Sequence, residues 1–167
     1  MADNGNMNVR SCTLLLCSVA LLAAETVAGL KWSAPAGWKA ESGSRPMRVA
    51  TYTVGDAECA VYFFGQGQGG GIQANLDRWQ SQFRGSISTT GKRTIHGLPV
   101  TTIDVSGNYN GMAGPGSGGG PPKPGYRMLG AIVENSAGNV FFKFTGPAKT
   151  IAANEAKFNQ LLDSVSK

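Results

Sequence analysis

Two pairs of strong β formers each lead, through glycine or proline, into a segment with the apolar spacing of a helix. That order restricts the chain to a sheet with helices laid on it. In the first pair, "MRVATYTV" (47–54) and "ECAVYFF" (58–64) meet at Gly55-Asp56, which reads as an antiparallel hairpin. Alternation puts Cys59, Val61 and Phe63 on one face and Glu58, Ala60 and Tyr62 on the other. Beyond it, Ile72, Leu76, Trp79 and Phe83 recur at helical spacing. The helix expected there buries this stripe, leaves Asn75, Asp77, Arg78 and Gln82 outside it and stops near Gly85.

The second pair, "YRMLGAIVE" (126–134) and "NVFFKFTG" (139–146), flanks "NSAG". Gly146-Pro147 separates it from a helix whose stripe is Ile151, Phe158, Leu161, Leu162 and Val165, broken early by Asn154 and Glu155. Two further extended pieces lie in "KRTIHGLPVTTIDVSGNY", the first interrupted by Gly97 and Pro99. Trp32 and Trp38 read as short edge structure packing on a core. No internal repeat accompanies the order. A helix that buries one stripe needs a sheet to bury it against. The expected class is therefore α+β: an α/β/α sandwich with an antiparallel-rich central sheet and helices packed on it.

The N-terminus reads as a leader. Arg10 precedes "CTLLLCSVALLAA", apolar or small from Cys12 to Ala24, and Thr26 and Ala28 take the small-residue positions before a cut. The run is too short for a bilayer, which needs roughly 20 residues. Residues 1–28 are thus expected to be a signal peptide, with Met7 a second possible start, and 29–167 a single domain. Leu16 before Cys17 is not small, and Cys12 lies ahead of the apolar run, so neither cysteine suits lipid attachment. A soluble periplasmic or secreted protein is expected. Cleavage leaves Cys59 as the one cysteine, so no internal disulfide can form. The formal charge of +5 is spread thinly, with no basic run longer than Lys92-Arg93, and nucleic acid is not expected as a partner.

Residues 111–125, "GMAGPGSGGGPPKPG", are mostly Gly and Pro and read as a mobile surface loop inserted between strands. Tyr109, Met112 and Tyr126 stand at or near its ends, and Pro121-Pro122-Lys123-Pro124 satisfies P-x-x-P. Tyr109, Met112, Pro121, Pro122 and Tyr126 are the candidate partner-binding residues.

Gly65, Gly67 and Gly70 fit G-x-G-x-x-G, but the preceding strand belongs to a hairpin and no acid stands about 20 positions on. Without Lys-Ser or Lys-Thr after Gly70 it is not a P-loop either. A strand-to-helix connection is expected. His96 is the sole histidine, which removes paired-histidine catalysis and His-rich metal sites. Cys59 with His96 as base is a conceivable nucleophile; the face it shares with Val61 and Phe63 makes it a core residue. Asp56 and Glu58 flank a turn, where solvated acids are ordinary. No metal and no cofactor are assigned.

Several segments together resemble the PsbP-like superfamily: the leader, "W-x-x-P-x-x-W" at 32–38, Ala57-Glu58 in the first hairpin, "Asn75-Leu76-x-x-Trp79", and above all "FFKFTGP" followed by "LLDSV". That superfamily includes the extrinsic PsbP subunit of photosystem II, a Ran-binding nuclear-transport factor and exported bacterial proteins. The resemblance spans about residues 30–167 and is strongest to the exported bacterial branch. It implies an α/β/α sandwich and a non-enzymatic binding or scaffolding role. Its motifs are structural and carry no site residues across.

The function expected from all this is an exported, non-catalytic binding or scaffolding protein of the bacterial cell envelope, a monomer that meets an envelope protein or ligand. The competing readings are a hydrolase-type enzyme using Cys59 or the Asp104 region, and an electrostatic binder of anionic polymers.

Overall fold

The computed structural model describes residues 24–43, 45–111 and 121–167. Its centre is a seven-stranded, wholly antiparallel sheet. The strands are β3 (Lys39–Ala40), β4 (Arg48–Val54), β5 (Ala57–Phe63), β6 (Phe83–Ile95), β7 (Leu98–Tyr109), β8 (Lys123–Val133) and β9 (Val140–Pro147). They lie in the order β3-β4-β5-β9-β8-β7-β6. A separate hairpin joins β1 (Ala24–Val27) to β2 (Leu30–Ser33) through Ala28 and Gly29, both at positive φ, the geometry of a tight primed turn. The helices are α1 (Ile72–Gln80) and α2 (Ala148–Asp163).

The two sheet faces hold two cores. One is closed by α2 and the β1–β2 hairpin: Ile151, Phe158, Leu161, Leu162 and Val165 meet Cys59, Val61, Phe142 and Phe144, with Trp32 and Trp38 sealed among them. The Trp32 indole donates to the Tyr52 hydroxyl at 2.9 Å, so a buried N–H is satisfied. Leu76 and Trp79 of α1 close the other core against Ile103, Val105, Met128, Ile132 and Phe141. Alternation in β5 sorts as the sequence implies: Cys59 and Val61 go to the α2 side and Tyr62 to the α1 side. The result is an α+β sandwich, as expected.

Three expectations need correction. The helix after the glycines ends at Gln80, not near Gly85, and Phe83 opens β6 while still packing into the α1 core. Gln82 is not on an outer face: it is 5% exposed, and Asn75 is 1% exposed. Finally, the Gly/Pro loop is shorter than 111–125. Lys123–Gly125 begin β8, because Lys123 pairs with Tyr109 across the neck of the loop. Residues 112–120, Met112 included, lie outside the described part, as do residues 1–23 of the expected leader.

The helices cover their faces unequally. Seven strands at ~4.8 Å spacing make a sheet about 29 Å wide. At 1.5 Å per residue, α2 is about 24 Å long and α1 only about 14 Å. Part of the α1 face is therefore left without a helix over it.

Candidate functional site

The site lies where α1 runs out. β5 brings Tyr62, with Phe64 just past its end, and β9 brings Phe141, Lys143 and Thr145 to the same face. Lys143 pairs with Ala60, whose methyl side chain leaves room above the strand. Pro46 and Met47 form one wall, Arg78 and Trp79 of α1 the other, and Gln82 lies beside Lys143. Together these residues enclose a cleft of about 290 Å³.

Its apolar lining is aromatic. Tyr62 and Phe64 stack at 6.1 Å with their planes 4° apart, and Phe141 meets both Phe64 and Trp79 edge to face. The glycines between β5 and α1 explain part of this. Gly69 has φ +88°, and a Cβ there would come within 2.8 Å of the Phe64 ring. The Asn75 amide donates to the carbonyls of Gly69 and Gly71 at 2.8 and 2.9 Å, locking the connection onto α1. Gly69, at an x position of G-x-G-x-x-G, thus makes room for the Phe64 and Phe141 rings.

The polar side of the cleft centres on Lys143. Its ammonium donates to Gln82 Oε1 at 2.5 Å and lies 5.6 Å from the Tyr109 ring centre. Among the described residues no carboxylate lies within ion-pair distance of it. Burial, with repulsion from Arg48 and Arg78 and only a partial offset from Glu58, pulls its pKa down from 10.5 to about 8. Arg48 lies over the Tyr62 ring at 5.4 Å and pairs with Glu58 at 2.8 Å. Arg45 shares Glu58 at 3.3 Å and holds Glu41 at 2.8 Å, while Arg78 donates to the Asn75 side chain. Four cations thus face two carboxylates.

Among the described residues, two buried oxygens beside this cluster have no hydrogen-bond partner, Thr145 Oγ1 and Asn110 Oδ1. Thr145 is two residues along from Lys143, and the Asn110 amide donates to the Gln82 carbonyl at 2.9 Å. Buried polar atoms are normally satisfied, and exceptions gather at functional positions. Backbone strain gathers here too: Met47, 65% exposed at the rim, has φ +64°.

Of the residues singled out in the sequence, Tyr109 and Tyr126 are brought together. Their rings stack at 5.7 Å and 4°, Tyr109 leans on Phe83 at 5.0 Å, and Lys123 sits over Tyr126 at 5.5 Å. Through Tyr109 the pair borders Lys143. Burial raises the Tyr62 and Tyr109 phenols above their usual pKa, so both keep their protons at neutral pH. Pro121 and Pro122 are exposed beyond the strand ends.

The residues of the competing enzyme reading are dispersed. Cys59 is fully buried on the opposite face, and burial pushes its thiol pKa up. His96 sits at the β6–β7 turn, with Nδ1 2.8 Å from the Val165 carbonyl oxygen. Three strand spacings separate β5 from β7, about 14 Å. Asp104 is held in a fork by Arg127 at 2.9 and 2.7 Å, and Arg127 also reaches Glu155. Asp56 accepts from Thr150 at 2.6 Å, and Glu58 is taken by two arginines. Among the described residues no cluster of His, Cys, Asp or Glu is placed to hold a metal ion, and no helix is long and apolar enough to cross a membrane.

Sequence reasoning passed over Lys143, Gln82, Arg48 and Arg78. A signal for Lys143 was present: it is the one charge in "VFFKF", and strict alternation puts it on the face of Phe141, inside a central strand.

Comparison by sequence finds no matching family and no matching curated protein. Comparison of folds finds solved structures of similar shape. The cyanobacterial PsbP (CyanoP) of Synechocystis sp. PCC 6803 superposes with a TM-score of 0.56 at 12% identity, over 89% of this chain and 95% of that one. A Pseudomonas aeruginosa protein of unknown function superposes with a TM-score of 0.48 at 13% identity, over 87% and 96%. The likeness to the cyanobacterial protein shows the fold: this chain has a PsbP-like sandwich.

Proposed function

We propose that this PsbP-like chain is an exported, non-catalytic binding protein of the cell envelope, and that it binds through the cleft beside α1. The observation that carries the reading is the half-buried Lys143 ammonium, set among aromatic rings with only an amide for a partner. Burying a charge without a counter-charge costs several kcal/mol. A fold retains such a group most readily where a ligand completes it. Orphaned oxygens and a strained rim residue at the same place support the same reading.

Tyr109 borders Lys143 and Tyr126 stacks on Tyr109, Pro121 and Pro122 lie exposed just before β8, and Met112 is three residues after Tyr109 in the sequence. We assign the contact with a larger envelope partner to these five residues. The dispersal of Cys59, His96 and Asp104 favours binding over hydrolysis. Export rests on the apolar run 12–24 with its basic flank.

Two measurements test the proposal. Intact mass of the protein recovered from outside the cytoplasm should show the apolar run 12–23 removed, whereas a cut before Gly29 would also take away β1, which pairs with β2 from Ala24 to Val27; retention of the run would overturn export. Small molecules extracted from the envelope should raise the melting temperature by mass action. They should also change the emission of Trp79, which lines the cleft, and a Trp79→Phe variant should lose that change. No shift at any extract concentration overturns the binding role. For the enzyme reading, Cys59 should react with a thiol reagent only as fast as the protein unfolds.

A further inference from the structure

Resting on the binding reading above, we infer that the cleft takes a small free monocarboxylic acid with a flat apolar body of one or two rings, its carboxylate on Lys143 and its body between Phe64 and Trp79.

The headgroup follows from donor counting. An ammonium has three N–H donors. One is used by Gln82 Oε1, and no acid among the described residues takes the others. Two free donors match the two oxygens of one carboxylate. The neighbouring cations already have partners: Arg48 ion-pairs with Glu58 at 2.8 Å, its Nη1 forming no hydrogen bond among the described residues, and Arg78 donates to Asn75. Donor number rather than net charge selects the headgroup: a phosphate ester presents three oxygens to the two free N–H groups of Lys143, and a carboxylate two. Charge-assisted hydrogen bonds of this kind are the strong ones, and stronger still away from water.

The body follows from the walls. Away from Lys143 the lining is almost wholly ring and methyl surface, with Tyr62 and Phe64 presenting parallel faces. A volume of about 290 Å³ is at the small end of ligand cavities, which suits a one- or two-ring molecule and not a chain of residues. Gln82 sets the polarity. A carboxylate at that position would satisfy Lys143 from within and leave nothing for a ligand to complete.

Titration calorimetry with 2-naphthoate as probe tests this, with 2-naphthamide as the uncharged match and inorganic phosphate as the bodiless anion. Naphthoate should bind and quench Trp79, naphthamide should bind at least about tenfold more weakly, and phosphate should not compete. Gln82→Glu, which keeps the side-chain shape, should lose naphthoate binding by about tenfold or more while leaving naphthamide unchanged. Lys143→Met should likewise lose naphthoate binding by about tenfold or more. Equal affinity for acid and amide, or an undiminished Gln82→Glu variant, overturns the carboxylate assignment and leaves the binding cleft standing. Tighter binding of a tetrapeptide ending in Phe than of naphthoate overturns the free-acid assignment. Failure of every probe to bind, with Trp79 emission unmoved, overturns this inference; failure of envelope extract as well overturns the binding reading with it.

Discussion

Lys143 behaves as a pH-dependent load on the fold. Its pKa in the folded protein, about 8, lies below the 10.5 of the unfolded chain. Below about pH 8 both states carry the proton, and the folded state bears the full cost of a buried charge. Between about 8 and 10.5 the unfolded chain binds more protons, so Lys143 adds stability as pH rises. Cys59 and the buried tyrosines oppose this from about 9 and 10 upward, because their raised pKa values make the unfolded chain release protons first. Lys143→Met isolates the lysine. The stability of the wild type relative to that variant should rise by on the order of 2 kcal/mol from about pH 7.5 to 9.5, as read by chemical denaturation. A flat difference would mean that Lys143 is solvated. Gln82 is the second residue to probe. The sequence reading placed it outside, where alanine would cost under about 0.5 kcal/mol. With Oε1 on the ammonium, Gln82→Ala should instead cost roughly 1–3 kcal/mol.

At the level of elements, the seating of α1 is decided by one contact. A Cβ on Gly130 of β8 would lie 2.5 Å from the Trp79 ring, so the indole rests directly on bare backbone. Trp79→Ala should cost roughly 3–5 kcal/mol, and Gly130→Ala roughly 1–3 kcal/mol by overpacking. The double variant should cost clearly less than the sum, since the new methyl enters the cavity that the indole vacates. Additive costs in denaturant titrations would place the two residues apart. The β4–β5 and β8–β9 hairpins and α2 were legible because β formers flank Gly-Asp and Ala-Gly turns and the second half of α2 carries an unbroken stripe, whereas β1 was hidden in the expected leader. β6 was not. Its residues "SISTTGKRT" lie along the sheet edge, exposed or half-buried, so no inward and outward alternation marks them. The end of α1 was misjudged for a different reason. Phe83 is four residues after Trp79, the spacing of a further helical turn, yet it reaches the same core from a strand. Gln82, carried along in that error, was assigned to the wrong surface. The cleft is a product of tertiary contacts between elements far apart in sequence, and only the lone lysine of "VFFKF" announced it.

Over the whole molecule, the Tyr109–Lys123 pair brings the two ends of the segment following β7 together. Halving a loop changes closure entropy by only about 0.6 kcal/mol. Replacing residues 112–120 with a short Gly-Ser linker should leave the melting temperature nearly unchanged. It should weaken capture of a larger envelope partner without changing naphthoate affinity, and a loss of both would place the loop over the cleft itself. The strand order carries a further consequence. β3, β4 and β5 join the rest of the sheet at one seam, β5 against β9, between residues about 80 positions apart, and pairing across such a separation is slow to form. Tyr62 comes from one side of that seam and Lys143 from the other. The cleft therefore exists only once β5 has paired with β9, and any occupant acts as a clasp on the two halves, slowing their parting far more than it hastens their meeting.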